Sequence, residues 1–126
     1  MEIVPFELAK KLKEKGFPQH ITDYAYIVEN YGEDEYDIGD RMPIPLIPDY
    51  MDDVAAPTIS QVLNWLRKTH NLFIVVFLSD DSDNPVTFEI YKGTECVTDY
   101  HIKYYPLDEW SNAEIDAIKY VIDNLI

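Results

Sequence analysis

The sequence predicts an α+β fold: a three-stranded antiparallel meander, with a candidate fourth strand, packed against about three helices. Three observations predict it. Two stretches, 58–70 and 111–125, carry apolar residues at helical spacing behind a Thr or Ser that has Gln or Glu three residues on. Three strand-like runs, at 72–78, 86–92 and about 95–105, are joined by loops too short for parallel crossovers. The chain has 126 residues, 47% of them apolar and 27% charged, which is enough for one globular domain spanning 1–126 with its own core.

The elements follow in order. Pro5 to Lys15 reads as a helix with Phe6, Leu8, Ala9 and Leu12 on one stripe. Gly16 stands where a helix stops, lysines fill the last turn, and Pro18 forbids continuation. Residues 24–29 alternate Tyr24, Tyr26 and Val28 with Ala25, Ile27 and Glu29, the pattern of the fourth strand. Residues 32–57 hold four prolines, at 43, 45, 48 and 57. The stretch 42–48 alternates proline with apolar residues and predicts an extended, docked path without strand pairing.

Thr58 and Gln61 form a candidate capping box. Ile59, Val62, Leu63 and Leu66 make the helical stripe behind it, and Trp65 is expected in the core. Arg67, Lys68 and His70 suit the negative end of this helix, and Asn71 can close it. Leu72 to Leu78 is apolar on both faces, which predicts a central strand covered on both sides. Val86 to Lys92 alternates, and Lys92-Gly93-Thr94 turns the chain into the third strand. A second capping box, Ser111 and Glu114, opens a last helix with Ile115, Ile118, Ile122 and Leu125 as its buried stripe, widened by Ala117 and Val121.

Charge and cysteine usage narrow the function. Ten basic residues against 24 acidic ones give a net charge of −14. Direct binding of nucleic acid or an anionic membrane needs the opposite sign. The acidity is concentrated: residues 23–53 carry ten acids against Arg41 alone. With one cysteine, Cys96, no internal disulfide can form, and this residue reads as a buried structural thiol. The longest apolar run, Leu72 to Leu78, is far short of the roughly 20 residues of a membrane span. Residues 1–15 interleave lysines with apolar residues rather than forming a leader. The expected location is the cytoplasm.

No constellation of catalytic residues emerges. His20, His70 and His101 form no ligand pair, and His70 reads as a helix-dipole partner. His101 with Asp99 would need a pocket to become a hydrolytic site. The acidic runs 33–37 and 80–85 lack the glycine and distal glutamate of a calcium loop and read as solvated turns. There is no phosphate-binding glycine loop and no nucleophile elbow. No cofactor, metal or catalytic residue is therefore expected. Ten tyrosines are the distinctive resource, and Tyr91, Tyr100, Tyr104 and Tyr105 on the meander are the candidate interaction residues.

The segment Ala56-Pro57-Thr58-Ile59-Ser60-Gln61-Val62-Leu63-Asn64-Trp65-Leu66-Arg67 resembles an A-P-T-x-x-Q-x-x-x-W-L-R signature of small uncharacterised proteins of gut bacteria and their phages or mobile elements. In these it is followed by a His-Asn or His-Gly step and an apolar strand, as His70-Asn71-Leu72-Phe73-Ile74 follows here. The resemblance implies an accessory role and carries no activity and no catalytic residue. Physically the signature is a proline, a capping box and a helix with a buried tryptophan.

The expectation is a non-enzymatic accessory or protein-interaction protein with a protein partner and a homodimer through the tyrosine-bearing sheet. An alternative is an acidic nucleic-acid mimic that inhibits a basic DNA- or RNA-processing protein, since complementary potentials speed association. A small hydrolase or ligand-binding module is the third reading.

Overall fold

The computed structural model describes residues 2–27, 44–45, 53–80, 83–98 and 103–126. The fold is α+β, with three α-helices and two antiparallel sheets among the described residues. The chain divides into two compact units, Met1–Gln61 and Val62–Ile126.

The first unit is built from helix α1 (Phe6–Glu14) and three short strands, β1 (Tyr24–Ile27), β2 (Ile44–Pro45) and β3 (Asp53–Ala55). The predicted stripe forms the buried side of α1: Phe6, Leu8, Ala9 and Leu12. The helix stops at Gly16, whose φ of 92° is a left-handed conformation that suits glycine. Gly16 N donates to Lys13 O, and Phe17 N donates to Leu12 O, closing a Schellman motif. Phe17 is buried, which provides the apolar contact that accompanies this motif. Strand β1 is central, between β2 and β3. Tyr26 is its anchor: the hydroxyl donates to Val4 O at 2.6 Å, and its ring meets Phe6 edge-on. Burial pushes its phenol up from the usual tyrosine range. Gln19 locks the neighbouring strand by accepting a hydrogen bond from Ala55 N at 2.8 Å.

Helix α2 (Ile59–His70) opens on the predicted capping box. Gln61 N donates to Thr58 Oγ1 at 3.1 Å, and Thr58 N donates to Gln61 Oε1 at 2.9 Å. Two otherwise unsatisfied donors of the helix start are thereby paired. Asn71, at φ 55°, ends it. Val62, Trp65 and Leu66 are buried, as their spacing predicts.

The second unit continues with β4 (Leu72–Leu78), β5 (Val86–Lys92) and β6 (Glu95–Cys96), in the sheet order β4-β5-β6. Strands β4 and β5 pair along their full length, from Leu72 opposite Lys92 to Leu78 opposite Val86. A turn through Gly93, at φ 61°, joins β5 to β6. Helix α3 (Trp110–Asn124) follows a single 3-10 turn, Leu107–Glu109, and packs on β4 and β5. Its buried residues are Ala113, Ala117, Ile118, Val121 and Ile122. Burial of each of the larger ones is worth roughly 1.5–3 kcal/mol. Ala113 and Ala117 leave room for the sheet to approach.

The structure corrects several expectations. Strand β4 lies at the edge of its sheet, not at its centre, and Val75 and Leu78 are 44% and 58% exposed. The central, most buried strand is β5. The third strand ends at Cys96 instead of reaching 105, because the pairing slips: Tyr91 opposes Cys96, but Val86 bridges to Tyr105. The offset between the two pairings is four residues, an even number, so Cys96 lies with Tyr91 on one face and Tyr105 with Val86 on the other, as alternation along 95–105 predicts. The candidate fourth strand exists as β1, in a sheet separate from the meander. Ile44–Pro45 does pair, with Ala25 and Tyr24, at an outer position where proline is tolerated. Ser111 lies inside α3, and the residue before that helix, Glu109, makes no side-chain cap. Ile118 and Ile122 of the expected stripe are buried with Ala117 and Val121, but Ile115 and Leu125 are only half-buried. Cys96 is exposed, not buried. No helix among the described residues is long and apolar enough to cross a membrane.

Candidate interaction surface

Residues opposite each other in an antiparallel pair share a face of the sheet. The register therefore sorts β4 and β5 into two faces. On one, Ile74, Val76 and Leu78 join Val86, Phe88 and Ile90. All three β5 residues are buried. Tyr105, bridged to Val86, belongs to this face, and its hydroxyl donates to Asp116 Oδ2 of α3 at 2.6 Å. This is the side that α3 covers.

The other face carries Phe73, Val75 and Phe77 opposite Tyr91, Glu89 and Thr87, with Cys96 beside Tyr91. Thr87 is buried and its hydroxyl donates to Lys103 O. Phe73, Phe77, Glu89 and Tyr91 are half-buried, and Val75 and Cys96 are exposed. The Tyr91 hydroxyl donates to Glu89 Oε2. That bond, then desolvation, raises the phenol above the usual tyrosine range. This face is an apolar row along β4 flanked by a tied Tyr–Glu pair on β5.

The predicted tyrosines separate. Tyr91 lies on the open face, and Tyr104 is 47% exposed. Tyr105 is 2% exposed and belongs to the core, so it is not available to a partner. Burial, and then the hydrogen bond to Asp116, raise its phenol far above the ordinary value. Tyr100 lies outside the described residues, as do Asp99 and His101 of the hydrolytic reading and the whole 33–37 acidic run. Asp81 and Ser82 of the second acidic run lie outside them too.

Reasoning from tyrosine content missed Phe73, Val75 and Phe77. The signal was present in β5, whose alternation places Thr87, Glu89 and Tyr91 on one side. A strand with a polar side cannot belong to a sheet buried on both faces.

Elsewhere, His70 does more than face the helix end. Its ring meets Trp65 edge-on at 4.8 Å, and its buried Nε2 has no hydrogen-bond partner among the described residues. No group of three or more metal-ligating side chains occurs among the described residues. Compared with protein-family models, characterised proteins and solved structures, the chain finds no match.

Proposed function

We propose that this is a non-enzymatic interaction protein that works through the open face of the β4–β5–β6 sheet. The observation that carries the reading is the row Phe73, Val75 and Phe77, apolar and only partly covered, beside Tyr91. Exposed apolar rows with an adjacent aromatic and a polar rim are characteristic of protein-binding surfaces. The accessory setting, of phage or mobile-element type and in the cytoplasm, is supported by the resemblance of the 56–67 segment and by the single cysteine. The charge of −14 directs the surface toward protein rather than nucleic acid.

The test is site-specific photo-crosslinking. A photoreactive phenylalanine analogue is placed at Tyr91 on the open face, and separately at Lys119 on the exposed side of α3. A discrete protein adduct from position 91 and none from 119 is expected. Absence of any adduct at 91, or equal adducts at both positions, overturns the reading.

A further inference from the structure

Resting on the reading above, we infer that the partner of this sheet is a second copy of the chain, joined through the outer edge of β4 in an antiparallel, two-fold pairing with Val75 opposite Val75.

Among the described residues the edge is open and undefended. Among the described residues no strand pairs with the outer side of β4. Its seven residues, Leu-Phe-Ile-Val-Val-Phe-Leu, include no charge, no proline and no glycine, the devices that usually keep an edge from pairing. The backbone groups it presents can be deduced. Gly93 N donates to Asn71 O and Ser79 N donates to Pro85 O, so residues 71 and 79 are bonded toward β5. Bonded positions in an antiparallel pair recur every second residue. Phe73, Val75 and Phe77 therefore bond inward, and Leu72, Ile74, Val76 and Leu78 present their N–H and C=O groups outward.

The sequence of β4 is a chemical palindrome about Val75. With Val75 opposite itself, Leu72 meets Leu78, Phe73 meets Phe77 and Ile74 meets Val76. The parity is self-consistent. The outward-bonding residues 72, 74, 76 and 78 pair only with one another, while Val75 meets its copy at a non-hydrogen-bonded position, where side chains lie closest. A slip of one residue breaks this, because it sets outward-bonding residues against inward-bonding ones. The half-exposed row Phe73, Val75 and Phe77 then continues onto its own copy, with aromatic cross-strand pairs on either side of the axis.

Charge selects the antiparallel arrangement. Arg67 and Lys68 precede β4, and Asp80, Asp81 and Asp83 follow it. Antiparallel pairing sets the basic end of one copy beside the acidic end of the other, at both ends of the strand. A parallel pairing would set like beside like. The contact is isologous, so it closes at a dimer.

The test uses the full chain at micromolar concentration and moderate salt, with mass read by light scattering. The native protein is expected at twice the 14.7 kDa chain mass. V75K and V75E, at an exposed position, should each run at the mass of one chain, and an equimolar mixture of the two should return to the doubled mass. That restoration requires residue 75 to meet itself. A second variant guards against failure of the charged ones to fold. In a C96S background, V75C should oxidise to a disulfide-linked dimer, since Cα atoms about 4.5 Å apart suit a disulfide, whereas V76C should not. A native mass of 14.7 kDa, persistent dimers of V75K, or equal trapping by V75C and V76C overturns the proposal. If the native protein is monomeric yet the analogue at Tyr91 captures another protein, self-pairing fails and the broader reading stands. If it is monomeric and captures nothing, both fall.

Discussion

The hydroxyl of Tyr105 donates to the carboxylate of Asp116 at 2.6 Å and ties the segment bridged to the start of β5 to the middle of α3. Tyr105 also exchanges both backbone hydrogen bonds with Val86, at 2.8 and 3.0 Å. One residue thus holds the sheet margin and the covering helix together. Lys103 lies over the outer side of the same ring, 5.1 Å from its centroid.

Tyr105→Phe keeps the ring and removes the bond. A hydrogen bond to a charged group contributes about 1.5–3 kcal/mol, and Asp116 is half-buried, so a loss near the lower end is expected in urea melts at neutral pH. The pH dependence has a definite sign. The folded phenol titrates above its unfolded value of about 10, so the folded state holds its proton longer. This contribution is complete below about pH 10 and is lost as pH rises toward the folded value. The gap between the native protein and Tyr105→Phe should therefore narrow in melts above about pH 10. A gap that widens there, or no loss at neutral pH, contradicts the role.

Two similar sequence signatures should behave differently. Thr58→Ala removes the side-chain acceptor of Gln61 N and should cost about 1 kcal/mol. Ser111→Ala changes a residue already inside α3 and should stay within about 0.5 kcal/mol. Equal losses at the two sites in thermal melts would return Ser111 to a capping role.

This contrast shows what the sequence could and could not convey. Thr58-x-x-Gln61 is legible because its chemistry is local: both partners lie within one turn. The Schellman stop at Gly16 and the β4–β5 hairpin are legible for the same reason. Ser111-x-x-Glu114 has the same spacing, but the helix follows directly on the 3-10 turn Leu107–Glu109, which puts its N-cap at Glu109, two residues before Ser111. The three-residue strand β3 carries too short a pattern to register, and only its pairing with β1 defines it. Strand β4 is the instructive error. Two apolar faces describe a buried central strand and a self-pairing edge strand equally well, and periodicity within one chain does not separate them. The candidate tyrosines fared unevenly because adjacent residues of an extended chain point to opposite sides, and only the bridge to Val86 shows that the side of Tyr105 is the one α3 covers.

The expectation for Cys96 changes because β6 is a two-residue, exposed edge strand. Cys96 ends β6 on the open side, exposed, with its sulfur 3.3 Å from Thr98 Oγ1. A thiol reagent should label the native protein at a rate comparable to the urea-unfolded chain. Strong protection in the native state, measured by mass spectrometry over time, would show that this face is covered in solution.

The two tryptophans offer the last comparison. Trp65 is 7% exposed on the buried side of α2, with His70 edge-on at 4.8 Å. Trp110, the first residue of α3, is 38% exposed. Truncating a buried tryptophan removes its transfer free energy and leaves a cavity that the surroundings fill only in part, a cost of about 3–5 kcal/mol. Trp65→Ala should lose that much in denaturant melts, a large part of the roughly 5–15 kcal/mol typical of a folded protein. Trp110→Ala removes a side chain that water already reaches, and should lose less than about 1 kcal/mol. Fluorescence provides the check without a stability measurement. With Trp110 replaced, the remaining native emission should be blue-shifted and shift red on unfolding. With Trp65 replaced, the native emission should already lie closer to that of the unfolded chain. Losses of similar size from the two variants, or a red-shifted native spectrum from Trp65 alone, would remove Trp65 from the core and make the outer face of α2 a second surface to examine.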